Sequence, residues 1–358
     1  MPSKDLPRSL RAALLAAGAA ALALGALGGL WRLGWDVPLP GTQPASFHGA
    51  LAAAAFFGTL VGLEHAAARA ARWAYLAPGC AALGGIATML GAPHEFAAGL
   101  LLAGSILLAG LAFGNLRQDR APHSVIALAG GLCAVGGNAL WLAGFTGSQA
   151  AGAWLAFLVL NVVAERLELS HLQRPGAAAL GLLGAGAALV AGGGALLPWQ
   201  WRAGAAAAGI GLVCLAFWLL VLDVARRDLR HHRQPRFTAL CLVGGYLWLG
   251  AGGAMLAFAA PLDGLHDAAL HAVFLGFVFA AVMAHAAAIL PGLLDVEAPY
   301  TPLLYAPLVL LEASLLLRVA GDLLGRAALR DWGGMGNAAA LALFVLAAAI
   351  AVRRGRDA

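Results

Sequence analysis

Residues 266–291 read His266-Asp-Ala-Ala-Leu-His271-Ala-Val-Phe-Leu-Gly-Phe-Val-Phe-Ala-Ala-Val-Met-Ala-His285-Ala-Ala-Ala-Ile-Leu-Pro291. This stretch is long and apolar enough to cross a bilayer as a helix, which takes about 20 residues. It nevertheless carries three histidines and one aspartate. Ionisable residues inside a membrane helix are costly and mark functional sites. We therefore interpret the segment as a membrane helix that contributes to a site.

The spacing of its polar residues predicts how they are arranged. His271 follows Asp267 by four residues, which places both on one helix face, where the carboxylate can accept the imidazole N–H and orient the ring. His285 follows His271 by 14 residues, almost four helical turns, which corresponds to about 21 Å along the axis. This helix is therefore predicted to present two imidazoles near one face, one towards each edge of the membrane.

Composition assigns the whole chain to the membrane class. Of its 358 residues, 62% are hydrophobic and 11% are charged, and the mean hydropathy is +0.84. Soluble proteins have about 25% charged residues. We therefore expect membrane lipid to surround the chain and no nucleic acid to bind it. The net charge of +5 is explained by basic loops that set topology.

The sequence predicts an all-α integral membrane protein, a bundle of about twelve transmembrane helices that forms one domain over residues 1–358. With the N-terminus inside, 17 of the 22 lysines and arginines fall on the inner side. The positive-inside rule then places both termini in the cytoplasm, and we expect a bacterial inner membrane. The predicted segments are 10–31, 46–66, 74–92, 95–116, 122–143, 148–166, 176–198, 203–224, 237–260, 265–290, 302–324 and 333–352.

Two histidines suit a membrane haem b. His48 begins the second segment and His271 lies near the start of the tenth, so both are predicted near the outer face. Imidazole is a common ligand of haem iron and of copper, and a membrane haem takes one histidine from each of two helices. The alternative is that each histidine meets water at the end of its helix.

An arginine and an aspartate in the eleventh segment extend this candidate site. Arg318 and Asp322 are four residues apart on one predicted face, so we expect them to pair. A guanidinium near a haem can bind its propionates. The alternative is a structural ion pair.

His285 is a third candidate metal ligand. It could bind copper, belong to a proton path or hydrogen-bond another helix. No second helix repeats the 14-residue histidine spacing, since His48 and His65 are 17 residues apart. This favours one haem over two.

The chain also resembles the NnrS-type membrane proteins in three motifs. The first is His48-Gly-Ala-Leu with Phe56-Phe-Gly-Thr-Leu-Val-Gly-Leu-Glu64, and the second is Trp154-Leu-Ala-Phe-Leu-Val-Leu with Glu165-Arg-Leu-Glu168. The third is His271-Ala-Val-Phe-Leu-Gly-Phe-Val-Phe with Leu315-Leu-Leu-Arg318-Val-Ala-Gly-Asp322. The resemblance implies a polytopic protein that contains haem and copper and is associated with nitric oxide stress. Where the related proteins tend to have arginine after the glutamate of helix 2, this chain has His65.

A more distant resemblance is to the catalytic subunit of haem-copper oxidases. That subunit has twelve helices and takes haem ligands from helices 2 and 10, the helices that hold His48 and His271 here. It places copper histidines on helices 6 and 7, whose apolar segments hold no histidine in this chain. Oxygen reduction at a haem–copper centre is therefore not expected.

Together, the residues and the resemblance predict a haem b protein that handles electrons, with a redox partner protein, or that binds or senses nitric oxide. Whether it is an enzyme stays open. One alternative is a transporter of a metal ion or small solute that uses the membrane histidines and carboxylates. Another is a structural or assembly protein without a cofactor.

Overall fold

The computed structural model describes residues 5–38, 43–170, 175–261, 263–297 and 300–356. Within these ranges the chain forms helices and no strand. The α-helices are α1 Arg8–Arg32, α2 Gln43–Gly49, α3 Phe57–Arg69, α4 Leu76–Met89, α5 His94–Asp119, α6 Pro122–Leu142, α7 Gly147–Ser170, α8 Ala177–Leu196, α9 Trp201–Leu222, α10 Ala225–Asp228, α11 Gln234–Phe258, α12 Gly264–His271, α13 Ala280–Leu294, α14 Tyr305–Leu323 and α15 Ala327–Arg356.

Two π-helical segments interrupt the α-helical backbone in the described part of the chain. The first, π1, is Ala50–Phe56 and joins α2 to α3. The second, π2, is Ala272–Phe279 and joins α12 to α13. Short 3₁₀ segments, Arg72–Tyr75 and Pro302–Leu304, lead into α4 and α14.

The helices confirm the all-α prediction and its membrane class. Eleven helices of the described chain are long and apolar enough to cross a membrane. The one predicted segment without such a helix, 74–92, contains the 14-residue α-helix Leu76–Met89. At about 1.5 Å per residue this helix spans about 21 Å, less than the roughly 30 Å of a bilayer core. It is short because a 3₁₀ turn precedes it and Gly91, with φ +71°, follows it.

Small residues allow the helices to pack closely. A Cβ added to Gly209 in α9 would lie 2.5 Å from the Gly253 carbonyl oxygen in α11. A Cβ on Gly211 would lie 2.7 Å from the Gly186 carbonyl oxygen in α8. Such contacts between glycine-rich helices are typical of membrane bundles, where association depends on close backbone approach.

The chain divides into two compact units. The first comprises Met1–Asn161 with Gly292–Asp295, and the second comprises Val162–Pro291 with Val296–Ala358. In the first, Trp154 donates its indole N–H to Asn138 Oδ1 at 2.9 Å. In the second, a buried apolar cluster joins four helical segments and consists of Trp248, Ala268, Ala272, Leu315 and Val319.

Candidate functional site

A capped turn positions the carboxylate and imidazole of α12. The Asp263 side chain accepts the backbone N–H of His266 at 2.7 Å, which satisfies a donor at the helix start. Asp267 and His271 then fall one turn apart, as the sequence predicts. The distance from His271 Nδ1 to Asp267 Oδ2 is 3.3 Å.

The hydrogen bonding of His271 determines which nitrogen carries the proton. Nδ1 lies 2.8 Å from the Asp267 carbonyl oxygen, which can only accept, so Nδ1 bears the hydrogen. In the neutral ring the lone pair is therefore on Nε2. No residue of the described chain hydrogen-bonds Nε2. His271 is thus held in the tautomer that binds a metal through Nε2.

Arg318 pairs with a different carboxylate from the one that the sequence predicts. Its NH2 group donates to Asp267 Oδ2 at 2.9 Å, across from α14 to α12. The expected pairing with Asp322 is therefore corrected. Packing of α12 against α14 presents Asp267 to the guanidinium, whereas spacing along one helix takes no account of a neighbouring helix.

Asp322 nevertheless belongs to the same group of side chains. It interacts electrostatically with Asp267, Arg318 and His271. Its Oδ2 atom and the Nε atom of Arg318 are buried and have no hydrogen-bond partner in the part of the chain that the structure describes. We call Asp267, His271, Arg318 and Asp322 the His271 cluster. It combines an open imidazole lone pair with an unused guanidinium donor.

Both predicted haem ligands lie within two residues of the start of a π-helix. His271 is the last residue of α12, and π2 starts at the next residue. His48 is followed by Gly49 and then by π1. Short π-helical segments are rare and occur frequently at functional sites. The sequence contained no signal that predicted them.

The π2 segment also corrects the predicted relation between His271 and His285. That prediction assumed 3.6 residues per turn over all 14 residues. The i→i+5 hydrogen bonds of a π-helix turn the chain less per residue. An angular argument based on α-helical geometry therefore does not hold across Ala272–Phe279.

His48, in the first unit, has the opposite tautomer. Its Nδ1 atom lies 3.1 Å from Arg32 NH1. A guanidinium has no acceptor, so Nδ1 is the accepting nitrogen and the neutral ring carries its hydrogen on Nε2. Iron binding through Nε2 requires that the proton move to Nδ1 and that the Arg32 contact break.

His285 lies in a second group of polar side chains, formed with α7. Its Nδ1 atom contacts the Ala281 carbonyl oxygen at 2.9 Å, so its lone pair is also on Nε2. This Nε2 lies 3.4 Å from Arg166 NH1 and 3.4 Å from Glu165 Oε1. Of the three roles predicted for His285, hydrogen bonding to another helix is the one for which the structure provides partner side chains.

The centre of this second group is a buried ion pair. Arg166 binds Asp223 through two bonds of 2.9 Å, and the two side chains are 5% and 1% exposed. We call Glu165, Arg166, Asp223 and His285 the Arg166 cluster. The sequence did not indicate Asp223 as a partner of Arg166. The signal for Asp223 was its position inside the predicted apolar segment 203–224, where an ionisable residue is costly.

Metal-binding side chains are not grouped in the described residues. No group of three or more His, Cys, Asp or Glu side chains that could hold a metal ion occurs in the described residues. A haem iron takes only one or two protein ligands, so the His271 cluster stays a candidate for it. The copper expectation for His285 stays a prediction.

The family comparison covers nearly the whole chain. Residues 11–353 match the family model described as Domain of unknown function (DUF8744). The chain belongs to DUF8744. No curated protein matches it. The DUF8744 match includes both clusters and His48, so each candidate residue lies in the part of the chain that defines the family.

Proposed function

We propose that this DUF8744 chain is a haem b protein of the bacterial inner membrane, related to the NnrS-type proteins, with a role in the nitric oxide response or in electron transfer. The supporting observation is the state of His271. Its Nδ1–H is held by Asp267 and its Nε2 lone pair has no partner in the described residues. That is the arrangement of a histidine prepared to bind iron, with a carboxylate behind it.

The remaining residues of the His271 cluster have complementary roles in this proposal. Asp267 orients the His271 ring and makes it a stronger ligand. Arg318 neutralises Asp267 and keeps its buried Nε donor for an anionic group such as a haem propionate. Asp322 interacts with the same charges and contributes to their balance. Bound haem would supply reversible one-electron chemistry and an iron site for a small ligand.

Two further parts of the proposal depend on other residues. His48, in the first unit, stays a predicted haem ligand, and iron binding there would require that its Nδ1 contact with Arg32 be released. His285 has both ring nitrogens in contact with protein, so a copper ion there has less support than haem at His271. Electron transfer would require a redox partner protein.

A pair of matched variants tests the haem proposal. His271 and His285 have the same tautomer and the same contact with the carbonyl four residues earlier, but only His271 has an open Nε2. Purified wild-type protein should show a Soret band, and a pyridine haemochrome assay should give one haem per chain. His271→Ala should lose the haem, while His285→Ala should keep its content and spectrum.

Gel filtration should show that the two variants are equally homogeneous, so that a loss of haem is not caused by misfolding. If the purified wild type contains no haem and does not take up added haemin, the proposal fails. Substrate-dependent flux in liposomes would then favour the transporter alternative. Retention of the wild-type spectrum by His271→Ala would remove His271 as a ligand.

A further inference from the structure

Glu312 is a carboxylate at the middle of a span. The helix that carries it crosses from Pro302 to Leu323 as part of an apolar segment, so Glu312 is about 15 Å from either end. Its neighbours Leu311 and Leu315 are fully buried. A carboxylate at this depth is costly to ionise, and such residues are kept for function.

The two oxygens of Glu312 have different surroundings. Oε2 accepts the indole N–H of Trp248 at 2.6 Å. Oε1 is buried and has no hydrogen-bond partner in the described residues. Gly244, one turn before Trp248 on α11, leaves room beside Oε1, since an added Cβ would lie 3.4 Å from that oxygen. Oε1 is therefore a buried acceptor without a donor.

Packing keeps the Trp248 donor in place. The indole lies in the buried apolar cluster of the second unit and rests against Gly276 of π2, where any side chain would collide with it. Trp248 as a whole residue is 9% exposed. Because Oε2 can accept this N–H in both the acid and the carboxylate form, Oε1 can gain or lose a proton without movement of Trp248.

Charged groups do not compensate Glu312. The titratable group that interacts with it electrostatically in the described chain is the Cys241 thiol of α11. Arg318, the nearest basic residue along α14, is six residues away, about 9 Å along the axis, and is bound to Asp267. From α12, Asp267 and His271 face Arg318. The charge of an ionised Glu312 would therefore be stabilised by one indole N–H alone.

We propose that Glu312 is a proton-binding site in the membrane span, with Oε1 as the atom that takes up and releases the proton. A proton is the ligand that fits, because a single buried oxygen beside one neutral donor lacks the several oxygen ligands that a metal cation takes. The site does not depend on haem, since no residue of the His271 cluster contacts Glu312.

A hydrophobic carbodiimide reports a protonated carboxyl in an apolar environment. The carboxyl proton moves to a carbodiimide nitrogen, the carboxylate oxygen bonds to the central carbon, and the acyl group then shifts to nitrogen as a stable adduct. We expect mass spectrometry of the full chain in liposomes at pH 7 to find the adduct on Glu312, at least tenfold above the exposed Glu95. Glu312→Gln should carry no adduct at this position.

Infrared spectroscopy provides a second, independent measurement. The wild type should show the carbonyl stretch of a protonated carboxylic acid at neutral pH, and Glu312→Gln should lack it. Trp248→Phe keeps an aromatic ring but removes the N–H, so the band should persist to higher pH than in the wild type. This variant remains informative if Glu312→Gln does not fold.

Three results would overturn the proposal. One is a wild-type infrared spectrum without this band at neutral pH. Another is carbodiimide labelling of Glu95 but not of Glu312. The third is labelling of Glu312 that slows in sodium chloride relative to choline chloride at constant pH, which would identify a cation as the ligand.

Discussion

Arg318 donates to Asp267 on a neighbouring helix at 2.9 Å, although Asp322 lies one turn away on its own helix. Asp267 thereby contacts both an arginine and a histidine, since His271 Nδ1 is 3.3 Å from the same Oδ2 atom. The Asp267 carboxylate therefore links α12 to α14 and orients the imidazole. This relationship makes Asp267 the central residue of the His271 cluster.

The first prediction separates the two carboxylates that Arg318 could use. Arg318→Ala should lower the free energy of unfolding by about 1.5–3 kcal/mol, because a hydrogen bond to a charged group is lost. We expect a smaller loss of stability than for a fully buried ion pair, because the Asp267 side chain is 43% exposed. Asp322→Asn should cost less than Arg318→Ala. Denaturant unfolding in detergent measures both, and an equal loss in the two variants would contradict the assignment.

The second prediction concerns the buried pair of the Arg166 cluster. Asp223→Ala leaves the Arg166 charge without its partner and should destabilise the protein by about 3–5 kcal/mol. Replacement of both residues by leucine should recover most of this loss, because no buried charge then remains. Thermal unfolding of the two variants provides the comparison. A double variant no more stable than Asp223→Ala would show that the pair has a further role.

The third prediction tests His48 as a haem ligand. Arg32→Ala removes the donor at Nδ1, so the proton can occupy that nitrogen and Nε2 can bind iron. The contact is worth about 1 kcal/mol, which corresponds to roughly fivefold tighter haem binding in Arg32→Ala. His48→Ala should weaken binding. Haemin titrations followed by absorption measure both, and an unchanged spectrum in His48→Ala would exclude His48.

The fourth prediction concerns the short helix α4. The basic asymmetry predicts that the Arg226–Arg236 loop, between the predicted spans 203–224 and 237–260, is cytoplasmic, as are both termini. With eleven other candidate spans, termini on the same side require that Leu76–Met89 also cross the membrane, despite its short length. A reporter fused after Ala92 should therefore be periplasmic, while one fused in the Arg226–Arg236 loop should be cytoplasmic. A cytoplasmic signal after Ala92 would show that α4 does not cross.

Much of the His271 cluster could be predicted from sequence, and the reason is local geometry. Asp267 and His271 belong to one helix, so their contact follows from a spacing of four residues. The partner of Arg318 did not follow, because a second aspartate on another helix was closer in space. Trp248 was missed because an indole in an apolar helix gives no sign in sequence of the carboxylate that it meets.

The sequence by itself determined that the chain is helical and belongs to the membrane class, because segment length and hydropathy are properties of consecutive residues. It also determined which ionisable residues lie within spans. The tertiary structure alone decided the partners of Arg318, Arg166 and Glu312, since these depend on how helices pack. It also decided which nitrogen of His48, His271 and His285 accepts, because the hydrogen-bond partner selects the tautomer. That partner is Arg32 for His48 and the carbonyl oxygen four residues earlier for His271 and His285.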